Sequence, residues 1–226
     1  MSSSATIPEN PIDTLSRTLD DCLPQTQCTQ CGYEGCLPYA KAMAQGQADL
    51  NRCPPGGDAT IAKLSAVLGL PVKPVDPSCG ATIERHIASI NPEHCIGCTL
   101  CIKACPVDAI IGSNKHRHAV IASLCTGCEL CIPPCPVDCI DMVFIPQHSE
   151  WTTEQAFEAR ERMHGRNKRL VRQKQEQDEF LEGKAIRKLD SIAHDGSDPE
   201  ADKKRAILQA VLAKARAKRQ SGGQAS

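Results

Sequence analysis

The sequence predicts an α+β protein in three parts: a small helical module built on four cysteines, a module of short strands and loops built on eight, and a charged helical tail. Three observations predict it. The phrase Cys95-Ile-Gly-Cys98-Thr-Leu-Cys101-Ile-Lys-Ala-Cys105-Pro106 recurs 30 positions later as Cys125-Thr-Gly-Cys128-Glu-Leu-Cys131-Ile-Pro-Pro-Cys135-Pro136. A differently spaced set, Cys28, Cys31, Cys36 and Cys53, precedes both phrases. Beyond Trp151 cysteine disappears and charge takes over. Fifteen cysteines against 3% aromatic residues leave little material for a large apolar core, so metal ligation must supply much of the folding free energy of the cysteine-rich part.

Residues 1–11 contain serine and proline and are expected to be disordered. The first module spans 12–70. From Pro11 to Cys22, Ile12, Leu15, Leu19 and Cys22 fall at helical spacing until Pro24 stops the pattern. A second helix is expected from Pro38, which suits a first turn, to about Gln47. After Pro54-Pro55-Gly56-Gly57, Asp58 is expected to cap a third helix that carries Ile61, Leu64 and Leu68 on one face and ends at Gly69. Residues 71–80 are too proline-dense for helix or central strand and read as an extended connector. In the second module, 81–147, short strands are expected at Thr82–Ile90, Ala119–Ser123 and Met142–Ile145, with helical turns near Val107 and Val137. In the tail, 148–226, Thr152-Thr153-Glu154-Gln155 offers a capping box for a long charged helix running to about Gly183, with Gly165 a point of interruption. Asp195-Gly196-Ser197-Asp198-Pro199 reads as a linker, followed by a helix lined by Ile207, Leu208, Val211 and Leu212 and a loose end from Gln220.

C-x2-C-x2-C-x3-C-P, present twice in register, is the spacing by which a bacterial ferredoxin-type domain wraps two [4Fe–4S] clusters. Three thiolates of each phrase reach one cluster, and the fourth ligates the other. On that rule Cys95, Cys98, Cys101 and Cys135 hold one cluster, and Cys125, Cys128, Cys131 and Cys105 hold the second. Zinc favours two C-x2-C pairs separated by a longer loop, and cysteines this close cannot bridge among themselves with acceptable geometry. For Cys28, Cys31, Cys36 and Cys53, spacing alone leaves an iron–sulfur cluster and structural zinc both open. Gly32 and Gly35 are expected to supply the positive φ angles that turn this loop inward.

Charge is uneven. Residues 1–80 carry 5 Lys/Arg against 8 Asp/Glu, residues 81–150 carry 4 against 7, and residues 151–226 carry 17 against 12. An acidic, cysteine-rich body thus precedes a basic tail. The N-terminal residues show no signal-peptide pattern and no apolar run approaches the ~18 residues of a membrane span, which points to a reducing cytoplasm.

The run Leu23-Pro-Gln-Thr-Gln-Cys28-Thr-Gln-Cys31-Gly-Tyr-Glu-Gly-Cys36-Leu-Pro-Tyr-Ala40, then Asn51-Arg-Cys53-Pro-Pro-Gly-Gly57, resembles the N-terminal cluster domain of the B subunit of the Rnf-type electron transport complex. In that family a two-cluster ferredoxin domain with Cys-Pro-Val-Asp after each phrase follows, as here, so the resemblance covers about residues 12–145. It implies a third [4Fe–4S] cluster on Cys28, Cys31, Cys36 and Cys53. It also implies passage of electrons among subunits of a membrane complex that couples ferredoxin or nicotinamide redox chemistry to ion movement. Many members begin with a hydrophobic anchor helix; this sequence shows none, so the expected location is cytoplasmic, at most peripheral on the cytoplasmic face of the inner membrane.

Three cysteines remain. The offset aligns Cys139 with Ala109, a small packed position, and Cys22 and Cys79 read as a packed and an inert thiol. His86, His94, His116 and His118 read as solvated or packed, with His94 beside Cys95 a weaker candidate for tuning a cluster. No G-x-G-x-x-G follows a strand and no Walker A is present, so no nucleotide site or small-molecule substrate site is expected and no catalytic acid or base is assigned. The expected function is single-electron transfer through three [4Fe–4S] clusters. The expected partners are redox proteins: a ferredoxin, a flavoprotein, a nicotinamide-dependent reductase or other Rnf-type subunits. The alternative is a structural or redox-sensing iron–sulfur protein that binds a protein or nucleic-acid partner through its basic tail; nucleic acid is the less expected of the two, because no interleaved aromatics accompany the charge.

Overall fold

The computed structural model describes residues 10–144, 146–148, 151–192 and 199–222. The chain forms two compact units divided between Arg166 and Asn167.

The first unit opens with α1 (Pro11–Cys22), α2 (Cys36–Ala44) and α3 (Gly57–Leu68). Asn10 caps α1 by accepting from the Ile12 N–H at 3.1 Å, and Pro11 opens it, so the helix begins inside the segment expected to be disordered. Residues 1–9 of that segment lie outside the described residues. α2 starts and stops earlier than its sequence pattern suggests, because Gly35, at φ 128°, releases the chain into helix directly at Cys36. α3 is capped by Gly56 with no side-chain bond, so Asp58 lies within its first turn instead of capping it, while Gly69 takes the left-handed conformation (φ 65°) that ends it. α1 packs on α2 and α3 over Leu19, Leu23, Tyr39, Met43, Leu50, Ile61 and Leu64. Leu19, Ile61 and Leu64 are fully buried; burial at this level stabilises by roughly 2 kcal/mol per side chain.

The connector is pinned to this module. Asn51 Nδ2 donates to Pro74 O at 2.7 Å, the Asp76 N–H donates to Asn51 O at 2.9 Å, and Thr82 Oγ1 donates to Pro54 O at 3.0 Å.

Four short strands follow: β1 (His86–Ile90), β2 (Ile110–Ile111), β3 (Ala119–Val120) and β4 (Ile140–Phe144). β1 pairs antiparallel with β4, with Ile90 opposite Ile140, and β2 pairs antiparallel with β3. Each two-stranded sheet takes one strand from each half of the repeat, so neither half closes its core alone. The expected helical turns at Val107 and Val137 are simple turns. A short α4 (Leu100–Ala104) instead follows Cys98. Its counterpart in the second phrase carries Pro133 and Pro134, which lack the N–H groups a helix needs, and forms turns.

α5 (Thr153–Ser191) runs unbroken through Gly165 and Gly183. Thr152 and Gln155 make the reciprocal capping bonds, Thr152 N–H to Gln155 Oε1 at 2.9 Å and Gln155 N–H to Thr152 Oγ1 at 3.2 Å. Ala156 and Ala159 are buried, and Trp151 and Met163 pack on the strand core. Arg160 pairs with Asp20 at 3.2 Å and also with Asp21; Arg162 and Arg166 donate to the carbonyls of Leu124 and Lys103. The compact unit therefore takes in residues 151–166, past the position where the sequence suggests that a tail begins.

The second unit holds the remainder of α5 and α6 (Pro199–Gly222). Arg205 donates to Leu189 O and Ile192 O at 3.2 and 3.3 Å, satisfying carbonyls at the end of α5, and Arg216 pairs with Glu182 at 2.6 Å. Ile207 and Val211 are exposed. Of the expected linker only Pro199 is described; residues 195–198 lie outside the described residues.

Candidate metal centres

The repeat builds two loops of nearly the same shape. Gly97 and Gly127 take φ 70° and 71°, and a Cβ on either would fall 2.5–2.6 Å from the backbone of His116 or His86 respectively. Thr99 and Glu129 are left-handed at φ 64° and 61°, as are Asp108 and Asp138 at 54° and 46°. These angles turn successive cysteines toward one point.

Three small cavities result, and each is walled by cysteine. Cys95, Cys98, Cys101 and Cys135 line one. Cys105, Cys125, Cys128 and Cys131 line another. Cys28, Cys31, Cys36 and Cys53 line the third. The fourth cysteine of each phrase thus faces the cavity of the other phrase. Cys139 also borders the first cavity, with its Sγ 3.6 Å from Cys135 Sγ. Cys22 is half-buried and donates to Thr18 O at 3.4 Å, and Cys79 is buried beside the third centre. All fifteen thiols are free.

Four cysteines at each cavity are a donor set that suits an iron–sulfur cage, and one that tetrahedral zinc also accepts. Burial pushes the Cys53, Cys128 and Cys131 thiols up to about 12 and Cys36 well above its ordinary value, with Cys31, Cys101 and Cys105 also raised. Nearby backbone N–H groups oppose the shift, those of Gly56 at Cys53 and Leu130 at Cys128 among them. Backbone N–H groups aimed at sulfur suit thiolates, the form in which cysteine binds metal, and metal binding releases the thiol protons.

Backbone N–H groups reach sulfur in repeat-related pairs: Ala88 N–H to Cys125 Sγ at 3.5 Å and His118 N–H to Cys95 Sγ at 3.4 Å. Ala109 N–H reaches Cys105 Sγ at 3.2 Å, and Cys139 N–H likewise bonds Cys135. Of the four histidines, the one directed at sulfur is His118, whose Nδ1 lies 3.2 Å from Cys101 Sγ. His94 is exposed. His86 and His116 bond the carbonyls of Glu84 and Asn114. His118 is remote in sequence from Cys101; the β2–β3 pairing, with the Lys115 N–H bonded to Gly97 O, brings it over that sulfur.

Sequence reasoning also missed a buried chain beside the third centre. The Cys36 N–H donates to Gln27 Oε1 at 3.0 Å, Gln27 Nε2 to Gln25 Oε1 at 2.8 Å, and Gln25 Nε2 to Asp20 Oδ1 at 3.0 Å. A Cβ on Gly35 would lie 2.6 Å from Gln27 Oε1, so the glycine admits this chain. Burial raises the Asp20 carboxyl, against the bond from Gln25 and the charge of Arg160.

The two cysteine modules meet directly. Thr126, between Cys125 and Gly127, donates its buried hydroxyl to Thr26 O at 3.0 Å, two residues before Cys28. Trp151 Nε1 donates to Pro24 O at 2.7 Å, and the Arg85 guanidinium lies 4.4 Å from the Trp151 ring centroid while also donating to Cys125 O.

Residues 88–142 match the family described as "4Fe-4S dicluster domain", and residues 23–55 match the family described as "Putative Fe-S cluster". Proteins named as the B subunit of the ion-translocating oxidoreductase complex are similar to this chain. That of Azoarcus sp. is 58% identical over 130 residues, 58% of this chain and 71% of the relative. That of Thiobacillus denitrificans is 54% identical over 108 residues, covering 48% and 57% of the two chains, and that of Hahella chejuensis is 58% identical over 128 residues, covering 57% and 64%. The matched region thus spans about three fifths of the Thiobacillus and Hahella relatives. No solved structure matches.

Proposed function

The chain belongs to the family of B subunits of the ion-translocating oxidoreductase complex, and on that premise we propose that it carries single electrons through three [4Fe–4S] clusters. The ligands are Cys28, Cys31, Cys36 and Cys53; Cys95, Cys98, Cys101 and Cys135; and Cys105, Cys125, Cys128 and Cys131. When bound, such a cluster supplies one reversible one-electron couple. The observation that carries the reading is the gathering of each cysteine set around one cavity, with Cys105 and Cys135 each crossing to the other phrase's cavity.

The protein's own part is placement and tuning. Loop glycines and left-handed residues aim the sulfurs, backbone N–H groups bond to them, and the apolar walls of Ile90, Val107, Ile110 and Ile140 keep water away. The Thr126–Thr26 bond sets the Cys28 loop against the Cys125 loop. This supports a linear order in which the Cys125 set stands between the Cys28 set and the Cys95 set. The partners are then other subunits of such a complex and a soluble redox donor or acceptor, met through the acidic body in a salt-sensitive encounter. Among the described residues no helix is long and apolar enough to cross a membrane, and attachment through partner subunits, peripheral to the membrane, is part of the proposal. A structural or sensing role exerted through the basic tail is not favoured by the relatives' names.

Anaerobic redox titration followed by electron paramagnetic resonance tests the reading. Three one-electron signals, each removed by substitution within one cysteine set, support it. A chain that holds its metal but accepts no electrons overturns it.

A further inference from the structure

The two halves of the eight-cysteine module are alike in backbone and unlike in two side chains at the sulfurs. Around Cys105, Cys125, Cys128 and Cys131 two of the positions that reach sulfur are Ala88 and Ala109, which offer only backbone N–H groups. Thirty residues on, the same two positions beside Cys95, Cys98, Cys101 and Cys135 are His118 and Cys139. Each adds a side-chain contact to a sulfur, His118 Nδ1 at 3.2 Å from Cys101 and Cys139 Sγ at 3.6 Å from Cys135. A cluster-bound thiolate can only accept, so both contacts then run from the side chain to the sulfur.

The tautomer follows from the surroundings. His118 is 4% exposed, and its Nε2 is buried with no partner among the described residues, so the ring proton belongs on Nδ1, the nitrogen that has an acceptor. Space for the ring is built in. Gly112 lies beneath it, and a Cβ there would fall 2.4 Å from His118 Cδ2, displacing the ring from Cys101.

Resting on the three-cluster reading, we infer that His118 and Cys139 are potential-setting residues for the Cys95 cluster, raising its reduction potential above the value the repeat would otherwise impose. Hydrogen bonds to ligand sulfur favour the more negatively charged, reduced state of a cluster. The other set receives no such side chain from the equivalent positions. Thr126, which is not at either of those two positions, shares its hydroxyl between Thr26 O and the Cys128 sulfur, and it too stays in place in every variant below. Arg85 and Glu129 act on the Cys125 side, and both stay in place in every variant below, so their influence cancels. Neither His118 nor Cys139 is a catalytic residue; each acts through a ligand sulfur.

The test is a potentiometric titration of full-length, cluster-loaded protein, with the Cys95 signal identified as the one that Cys101→Ser displaces. His118→Leu should move that signal alone to lower potential, with about a tenfold fall in its reduced-to-oxidised ratio at fixed potential, about 59 mV for a one-electron couple. His118→Asn, whose amide can donate from nearly the same place, should recover most of the shift. Cys139→Ala, which installs the residue its counterpart already carries, should move the same signal in the same direction by less, and it reads the effect whether or not His118→Leu retains its iron. Equal shifts in Leu and Asn variants, shifts shared by every signal, or no shift in Cys139→Ala together with His118→Asn equal to His118→Leu would overturn the inference. Those results leave three reducible clusters in place and so differ from failure of the electron-transfer reading, in which the wild type itself has no reducible signal.

Discussion

Replacing Trp151 by Phe tests whether the start of α5 locks the two cysteine modules together. The indole donates to Pro24 O at 2.7 Å in the first module, and its face receives Arg85, which also holds the Cys125 carbonyl in the second. Phe keeps a ring but loses the donor. A typical protein hydrogen bond is worth about 1 kcal/mol, and leaving a partly buried carbonyl unmatched adds to that. The weaker attraction of Arg85 for Phe costs about 0.5 kcal/mol more. The sum is about 2 kcal/mol, which for a chain of this size lowers the melting temperature by roughly 4–8 °C. Anaerobic calorimetry of cluster-loaded protein at a fixed scan rate reads it. Arg85→Met completes a double-mutant cycle, in which a coupling of about 0.5 kcal/mol is expected, the part of the ring–guanidinium attraction that goes with the indole. An unchanged melting temperature, or additive effects of the two substitutions, would refute the idea that this contact joins the modules.

Cys135→Ala should abolish the Cys95 cluster and spare the Cys125 cluster; loss of the Cys125 signal alone would show that the ligands are not crossed. Cys139→Ala should leave iron content unchanged, and a drop of about four irons per chain would make it a ligand. Thr126→Val removes the buried bond to Thr26 O and should slow electron exchange between the Cys28 and Cys125 clusters in flash-reduction experiments while leaving both potentials nearly in place; an unchanged rate contradicts the proposed order. Burial pushes the Cys53, Cys128 and Cys131 thiols up to about 12. Iron must displace those protons, so cluster retention against a fixed chelator should strengthen from pH 7 to 8.5; retention that weakens over that range reverses the predicted sign.

Much of this was legible because the signals are local. The repeated phrase carries its own loop geometry, Gly69 ends α3, and Thr152 with Gln155 caps α5. What escaped depends on chain segments distant in sequence. His118 gains its sulfur through the β2–β3 pairing and the Lys115–Gly97 bond beside it, and Gln27, with Gln25 behind it, finds its role when Gly35 brings the Cys36 N–H onto Gln27. The charge beyond Trp151 suggests a solvated tail, yet Ala156 and Ala159 form a small-residue face that buries against the body while Arg160 reaches Asp20 and Asp21. Composition averages over such a stripe and hides it. Gly165 did not break α5, since one glycine costs only about 1 kcal/mol in a helix supported by other contacts.

Counting iron and acid-labile sulfide in anaerobically purified protein tests the central claim most directly. Three cubanes on these cysteines predict about twelve of each per chain, falling to about eight when any one set is cut. Zinc in place of iron, or about eight of each in the intact chain with no loss on replacing Cys28 or Cys53, would contradict it.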